Sequence, residues 1–312
     1  MDLESKYLGG MIGSALGDCI GQLAFFHSSK ESLLNAINQS STLTYTDDTA
    51  MAIGLAESIL KNQGKIVSQK LGKTFHENYK EEPNRGYAKG PPTIFSMVER
   101  NDVSYVEIAE ILFNGEGSFG NGAAMRITPL GLFFHDSTTL YEEARLSSMV
   151  THTHLLGIDG AAVLAKAISL VTTKDSQYYD IRDNRSSFIL SLRNFAKTEE
   201  FSLQLNKVKD LSLQKEDLEQ AETILGSNIT AQYSVPFAIF AFLENPHNFG
   251  ECLLQTVLVA EDKDTIGAMV GGLLGSYLGI EKIPVKWKAK LENLLIIETL
   301  AKNLTELKFT KQ

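Results

Sequence analysis

Gly9-Gly10-Met11-Ile12-Gly13-Ser14-Ala15-Leu16-Gly17-Asp18-Cys19-Ile20-Gly21 places a glycine at every fourth position near the start of the chain. Gly267-Ala268-Met269-Val270-Gly271-Gly272-Leu273-Leu274-Gly275-Ser276-Tyr277-Leu278-Gly279 repeats that spacing near its end. Residues i and i+4 share one face of an α-helix, so each run predicts a helix with a bare ridge about 18 Å long. A glycine inside a helix costs ~1 kcal/mol relative to alanine, and four in register need a compensating gain. Close approach of another element provides one. Both helices are therefore expected to be central and buried, either packed on each other or each receiving a different bulky neighbour. An antiparallel pairing would bring the segment after Gly21 to the start of the second run, beside Asp264.

Helical periodicity continues outward from these runs. After Asp48, the apolar residues Met51, Ile53, Leu55, Ala56, Ile59 and Leu60 recur at helical spacing, and Gly64 is placed to end the run. Residues 105–113, 140–150, 161–171, 218–225, 236–243, 253–260 and 291–307 read the same way, and strand-like alternation is nearly absent. The fold class is all-α. The polar stretch 172–184 reads as the least ordered part, and 197–213 as another surface excursion. No Gly/Ser/Pro tract of linker length interrupts the chain, so 1–312 is expected to be a single domain with ample apolar content for a core.

The net charge of −9 argues against a nucleic-acid partner, because that binding neutralises phosphates with clustered Lys and Arg. An anionic small ligand stays open, provided local cations or helix N-termini offset the overall charge. Cys19 and Cys252 form neither a disulfide framework nor a zinc pattern, which fits a reducing, cytoplasmic setting. Asp2, Glu4 and Asp18 interrupt any secretory pattern at the start. Residues 266–280 are uncharged but too short to span a membrane, so a buried helix is expected there and no membrane association. A monomer is expected.

Two acidic clusters precede helical runs: Thr46-Asp47-Asp48-Thr49 and Asp262-Lys263-Asp264-Thr265. Each alone reads as a helix cap, where side-chain oxygens satisfy orphan N–H groups. Converged, they would offer four carboxylates and several hydroxyls, hard ligands suited to Mg²⁺, Mn²⁺ or Ca²⁺. Gly117-Ser118-Phe119-Gly120-Asn121-Gly122-Ala123-Ala124-Met125-Arg126 could cradle phosphate through backbone N–H groups, or be an ordinary loop. In Thr151-His152-Thr153-His154 the imidazoles could bind metal or flank a cap. His135-Asp136 superficially suggests a phosphohydrolase pair, but its surroundings read as a helix end and turn.

Taken together, the segments resemble the ADP-ribosylglycohydrolase family. The matching residues are Gly13-Ser14-Ala15-Leu16-Gly17-Asp18-Cys19-Ile20-Gly21, Tyr45-Thr46-Asp47-Asp48-Thr49-Ala50-Met51, Arg85-Gly86-Tyr87, Gly120-Asn121-Gly122-Ala123-Ala124-Met125-Arg126, Thr151-His152, Ser234-Val235-Pro236 and Asp262-Lys263-Asp264-Thr265-Ile266. They keep the family's order over roughly residues 8–290. Phe113-Asn114-Gly115, Gly117-Ser118-Phe119 and the Ser234-Val235-Pro236 context are similar to the branch that cleaves serine-linked ADP-ribose and poly(ADP-ribose). The resemblance implies a compact, orthogonal multi-helix domain that hydrolyses ADP-ribosyl linkages with two Mg²⁺ ions, Mn²⁺ being a substitute. Its partners would be ADP-ribose and ADP-ribosylated proteins. By the same resemblance Thr46, Asp47 and Asp48 hold one ion, Asp262 and Thr265 the other, and Asp264 bridges them. Asp47, Asp48 and Asp264 are the implied catalytic carboxylates. Ser118, Gly120, Asn121 and Gly122 line the diphosphate and distal ribose with His152 nearby, while Phe113 and Phe119 hold the adenine. Simple core packing is the alternative reading of the two phenylalanines.

One residue departs from the pattern. The family's glutamate after the first glycine-rich helix, four residues beyond the second glycine of Gly-Asp-x-x-Gly, falls on Phe25 here. Phenylalanine neither ligates nor transfers a proton. Either the second ion keeps more water, or Glu31 or another acid enters from the same loop, or the chain is an ADP-ribose-binding or structural member with little turnover. The family includes such non-enzymatic members.

Overall fold

The computed structural model describes residues 2–310. Among them the chain is helical throughout, with isolated bridges at Leu43–Leu291 and Gly120–Thr230 and no strand. The first helix, Leu3–Ala24, starts from Asp2, whose carboxylate accepts from the Glu4 N–H at 3.0 Å. It lies antiparallel on the Lys263–Leu278 helix, ridge against ridge. A Cβ added to Gly9 would sit 2.3 Å from the Gly275 carbonyl oxygen. One on Gly13 would sit 2.3 Å from Gly271 O, one on Gly17 1.9 Å from Gly267 O, and one on Gly21 2.2 Å from Lys263 O. Of the two readings of the ridges, mutual packing is the one the protein adopts. Backbones this close exchange Cα–H···O contacts and dispersion in place of side-chain packing.

This pair is the axis of the core. Both helices are almost wholly buried, and the fully enclosed Ile12, Leu16, Ile20, Met269, Leu273 and Leu274 fill the space around them. A second central helix, Leu155–Thr172, packs against Thr128–Phe133, Leu140–Ser148, Ala231–Glu244 and the Lys263–Leu278 helix. It is long and apolar enough to cross a membrane, but 78% of it is buried inside the protein, as a core helix requires. The expected helices over 105–113, 161–171, 236–243 and 291–307 appear with shifted ends, as Tyr105–Ile111, Leu155–Thr172, Ala231–Glu244 and Leu294–Phe309. Phe113 and Asn293 take positive φ and break the periodic runs there.

One expectation is overturned. Residues 197–213 are not a surface excursion, because Glu199–Gln214 is a helix that buries Phe201, Leu205, Val208 and Leu211. Its start is fixed by Asp159, a carboxylate enclosed within the central helix. Asp159 accepts from the N–H groups of Lys197 and Thr198, the Thr198 hydroxyl at 2.6 Å and the Tyr141 hydroxyl at 3.1 Å. Residues 173–184 do run as turns, held where Tyr277 Oη accepts from Ile181 N and donates to Tyr179 O.

Candidate functional site: a cleft over two acidic helix starts

The antiparallel glycine pair determines what meets at its end. Asp47 and Asp48 open the Asp47–Lys61 helix, and Asp262 and Asp264 flank the first residue of the Lys263–Leu278 helix. Asp18, three residues before the end of the first ridge, joins them. It is fully buried and accepts from Thr46 N at 3.0 and 3.1 Å, Thr46 Oγ1 at 2.8 Å, Thr49 N at 3.0 Å and Thr49 Oγ1 at 2.6 Å. Asp18 thereby fastens the acidic loop to the glycine axis.

The cap readings are not what the structure shows. Thr46 occupies the N-cap position, but its side chain makes no capping bond; its hydroxyl lies 2.8 Å from Asp18 and 3.1 Å from Asp48 Oδ2. Asp262 also stands at an N-cap without capping, and its Oδ2 accepts from Asn121 Nδ2 at 2.6 Å. Asp264 Oδ1 accepts its neighbour's N–H, from Thr265 at 3.0 Å, and its side chain lies within hydrogen-bonding reach of Asp262. Asp48 is buried, and its Oδ1 has no hydrogen-bond partner among the described residues.

Burial pushes the Asp47 carboxyl up to about 7, and Asp18 and Asp264 push the same way. Burial raises Asp18 to about 7 against the pull of its threonine donors. Burial and the neighbouring Asp264 raise Asp262 to about 7 despite Asn121, and Asp48 is driven well above the carboxylate range by burial and the surrounding acids. An orphaned buried carboxylate oxygen among mutually repelling acids is what a bound cation would satisfy. Among the described residues no three Asp, Glu, His or Cys side chains close on a single point; Thr265 lines the cleft with the aspartates, whereas Thr46, its hydroxyl turned to Asp18, is not part of that lining. The donor set is all oxygen and fits Mg²⁺ or Mn²⁺.

Above this floor opens a cleft of about 520 Å³, lined by Asp47, Asp48, Asp262, Asp264 and Thr265 below and by Phe113, Ser118–Gly122 and His152 above. A volume of that size suits a nucleotide-sized ligand. Phe113 and Phe119 are 55% and 41% exposed, so they face the cleft and core packing is excluded for them. The glycine loop is pinned to residues 229–231 by Asn121 N→Ile229 O and Ala231 N→Phe119 O. The Gly120 N–H is taken by Ser118 Oγ at 3.2 Å, so the loop offers an anion fewer amides than its glycines suggest. A Cβ on Gly122 would lie 2.9 Å from His152 Cε1, so glycine there lets the imidazole lie against the loop.

The two histidines part company. His154 Nδ1 accepts from Leu156 N at 3.1 Å and caps the central helix, whereas His152 faces the cleft. Burial, reinforced by Arg126, lowers His152 to about 3, so it is neutral. His135 and Asp136 lie elsewhere, His135 Nδ1 against Leu132 O and Asp136 paired with Lys308. Glu31 does not enter the site: it is exposed and lines a separate groove of about 690 Å³ with His27 and Asn35. Phe25, 47% exposed at the end of the first helix, is also absent from the cleft lining, and among the described residues no glutamate lines the cleft.

Sequence reasoning missed Asp18 as a site residue, although an acid inside an apolar glycine helix is itself a signal of a buried polar partner. It also missed Arg126, Thr151 and Gly86 in the lining. Gly86 is placed by Arg85, which forks onto Glu292 at 2.8 and 3.0 Å and stacks over Tyr45. With φ of +90°, Gly86 presents bare backbone beside Asp47.

An all-helical scaffold that opens a nucleotide-sized cleft over two acidic helix starts places this protein with the ADP-ribosylglycohydrolases. Residues 1–312 match that family, and the chain belongs to it. The chain is 30% identical to ADP-ribosylhydrolase ARH3 of Mus musculus over 338 residues, covering 96% of this chain and 91% of that protein. With ADP-ribosylhydrolase ARH3 of Homo sapiens it shares 30% identity over 96% of this chain and 93% of the other. Its fold matches a solved structure described as an ADP-ribosylglycohydrolase-related protein complex, with a TM-score of 0.71 and 19% identity, over 98% of this chain and 99% of that one. That likeness speaks for the fold.

Proposed function

We propose that this protein hydrolyses the glycosidic bond linking ADP-ribose to a protein side chain, serine O-linked substrates being favoured, or to another ADP-ribose. The observation that carries the reading is the convergence of both acidic helix starts, with Asp48 Oδ1 unpartnered, on the floor of a cleft whose upper wall is two exposed phenylalanines and a glycine loop. The similarity to ADP-ribosylhydrolase ARH3 supports it.

In this reading Phe113 and Phe119 take the adenine between apolar faces. Ser118, Gly120, Asn121, Gly122 and His152 hold the diphosphate and distal ribose. Thr46, Asp47 and Asp48 would hold one Mg²⁺, Asp262 and Thr265 a second, with Asp264 shared. The ions would fix the ribose hydroxyls and polarise water, with Mn²⁺ as a substitute. Positive charge builds on the anomeric carbon as its bond to the leaving group breaks, and in this reading Asp47, Asp48 and Asp264, all in the cleft lining, would stabilise that charge and take the water proton. Asp18 acts behind them, keeping Thr46 and Thr49 in place. The same reading makes the protein a monomeric cytoplasmic domain that acts on ADP-ribosylated proteins.

A second reading, ADP-ribose binding with weak turnover, is favoured by one observation: among the described residues no glutamate lines the cleft, and Phe25 stands at the position where the family has one. A linkage-resolved assay separates the two. The protein is incubated with serine-, arginine- and polymer-linked ADP-ribose and Mg²⁺. Release of free ADP-ribose that disappears in Asp47→Ala supports hydrolysis; tight ADP-ribose binding without release on any linkage supports the second reading.

A further inference from the structure

Arg126, Thr151 and His152 form a chain of hydrogen bonds that ends in the cleft. Arg126 is fully enclosed, with its guanidinium 4.7 Å from the centre of the Phe75 ring, and its Nη2 lies 3.2 Å from Ser147 O and 2.8 Å from Thr151 Oγ1. Thr151 Oγ1 lies 2.7 Å from His152 Nδ1. A guanidinium has only donors, so the threonine oxygen accepts from Arg126. Its single proton then points to His152 Nδ1, and the imidazole proton is left on Nε2. The opposite tautomer would aim two donors at Thr151 Oγ1 and leave the hydroxyl proton with no acceptor among the described residues. An imidazolium would repeat that conflict and add a second buried cation beside Arg126.

The free end of the chain is in the right place to be used. A Cβ on Gly122 would fall 3.1 Å from His152 Nε2 and one on Gly120 3.5 Å from it, so the two bare glycines keep that nitrogen open at the loop that lines the cleft.

We propose that Arg126 and Thr151 are positioning residues that hold His152 as a neutral imidazole with its proton on Nε2, making it a fixed hydrogen-bond donor to a phosphate oxygen of the ligand. His152 then contributes orientation and takes no proton from the reacting water. The identity of the acceptor rests on the ADP-ribose reading above; the tautomer does not.

The test is a long-range ¹H–¹⁵N correlation spectrum of the imidazoles of the ¹⁵N-labelled full chain, recorded at pH 7 without nucleotide. The His152 signals are assigned by their loss in His152→Gln. The expected result is an unprotonated Nδ1 and a protonated Nε2 that does not titrate down to pH 5. Thr151→Val removes the hydroxyl while keeping the shape; it should shift the ring toward a tautomer mixture and weaken ADP-ribose by about 3- to 10-fold, and Thr151→Ser should restore both. A protonated Nδ1 or an imidazolium in the wild type overturns the proposal, as does a Thr151→Val spectrum unchanged from wild type. If Thr151→Val does not fold, the wild-type spectrum decides alone. Failure of the wild type to bind ADP-ribose would count against the proposed ligand, whatever the tautomer.

Discussion

Gly17→Ala tests how the fold builds the site. The new Cβ would lie 1.9 Å from Gly267 O, 2.4 Å from Gly267 C and 3.0 Å from Ala268 N, all of them backbone atoms that have no rotamer to escape into. Relief requires the two helices to part by more than ~1 Å, and a gap of that size forfeits about half of the dispersion along the whole ridge. Overpacking of this kind costs about 3–5 kcal/mol, and the better helix propensity of alanine returns ~1, leaving a net loss of about 2–4 kcal/mol. For a chain of this length that is a fall in melting temperature of roughly 3–6 °C. Because Asp18 is the next residue, the same shift should loosen Thr46 and Thr49 and weaken cation binding beyond the loss of stability. Urea unfolding measures the first effect and Mg²⁺ titration of the folded variant the second. Gly90→Ala is the control: nothing lies within 4 Å of its Cβ position, so stability should be unchanged or slightly higher. A Gly17→Ala protein as stable as wild type would refute close backbone packing of the two ridges.

Other outcomes follow from the same geometry. Asp18→Asn places an amide against four groups that donate to the carboxylate, and should cost about 2–4 kcal/mol in Mg²⁺-containing buffer, read by thermal melting. Phe25→Glu is expected to raise turnover on serine-linked ADP-ribose by at least about tenfold, with stability within ~0.5 kcal/mol of wild type because the ring is half exposed; no change in rate would mean that the missing acid does not limit the reaction. Acid stability should report His152: burial lowers it to about 3 in the folded protein, so the unfolded chain takes up a proton that the folded one refuses. The penalty is absent above about pH 6.5 and grows as pH falls toward 3, by up to ~1.4 kcal/mol per pH unit, and His152→Gln should lack that share of the slope in pH-dependent urea unfolding.

Much of this was legible in the chain itself. Glycines at 9, 13, 17 and 21 and at 267, 271, 275 and 279 announced two bare helix faces, and only the choice between mutual contact and separate neighbours needed coordinates. The acidic pairs were visible too, but a cap and a ligand share one signature, and the hydroxyl of Thr46 turned to Asp18 rather than to its own helix is a tertiary fact. The apolar residues 201, 205, 208 and 211 of Glu199–Gln214 keep helical spacing, but the exposed Leu203 and Leu213 blur that stripe, and the start of the helix depends on Asp159, some 40 positions earlier. Arg126 ends a recognisable motif, but its role is not legible there, since only the fold sets its guanidinium against Thr151.

The most direct test of the account is a Mn²⁺ titration of the metal-free protein, followed by calorimetry or by the electron paramagnetic resonance of free Mn²⁺. Saturable binding that approaches two ions per chain, competed by Mg²⁺ and lost in Asp264→Ala while the variant stays folded, is the predicted result. No saturable binding, or binding that Asp264→Ala leaves intact, would contradict a shared cation site at the meeting of the two acidic helix starts.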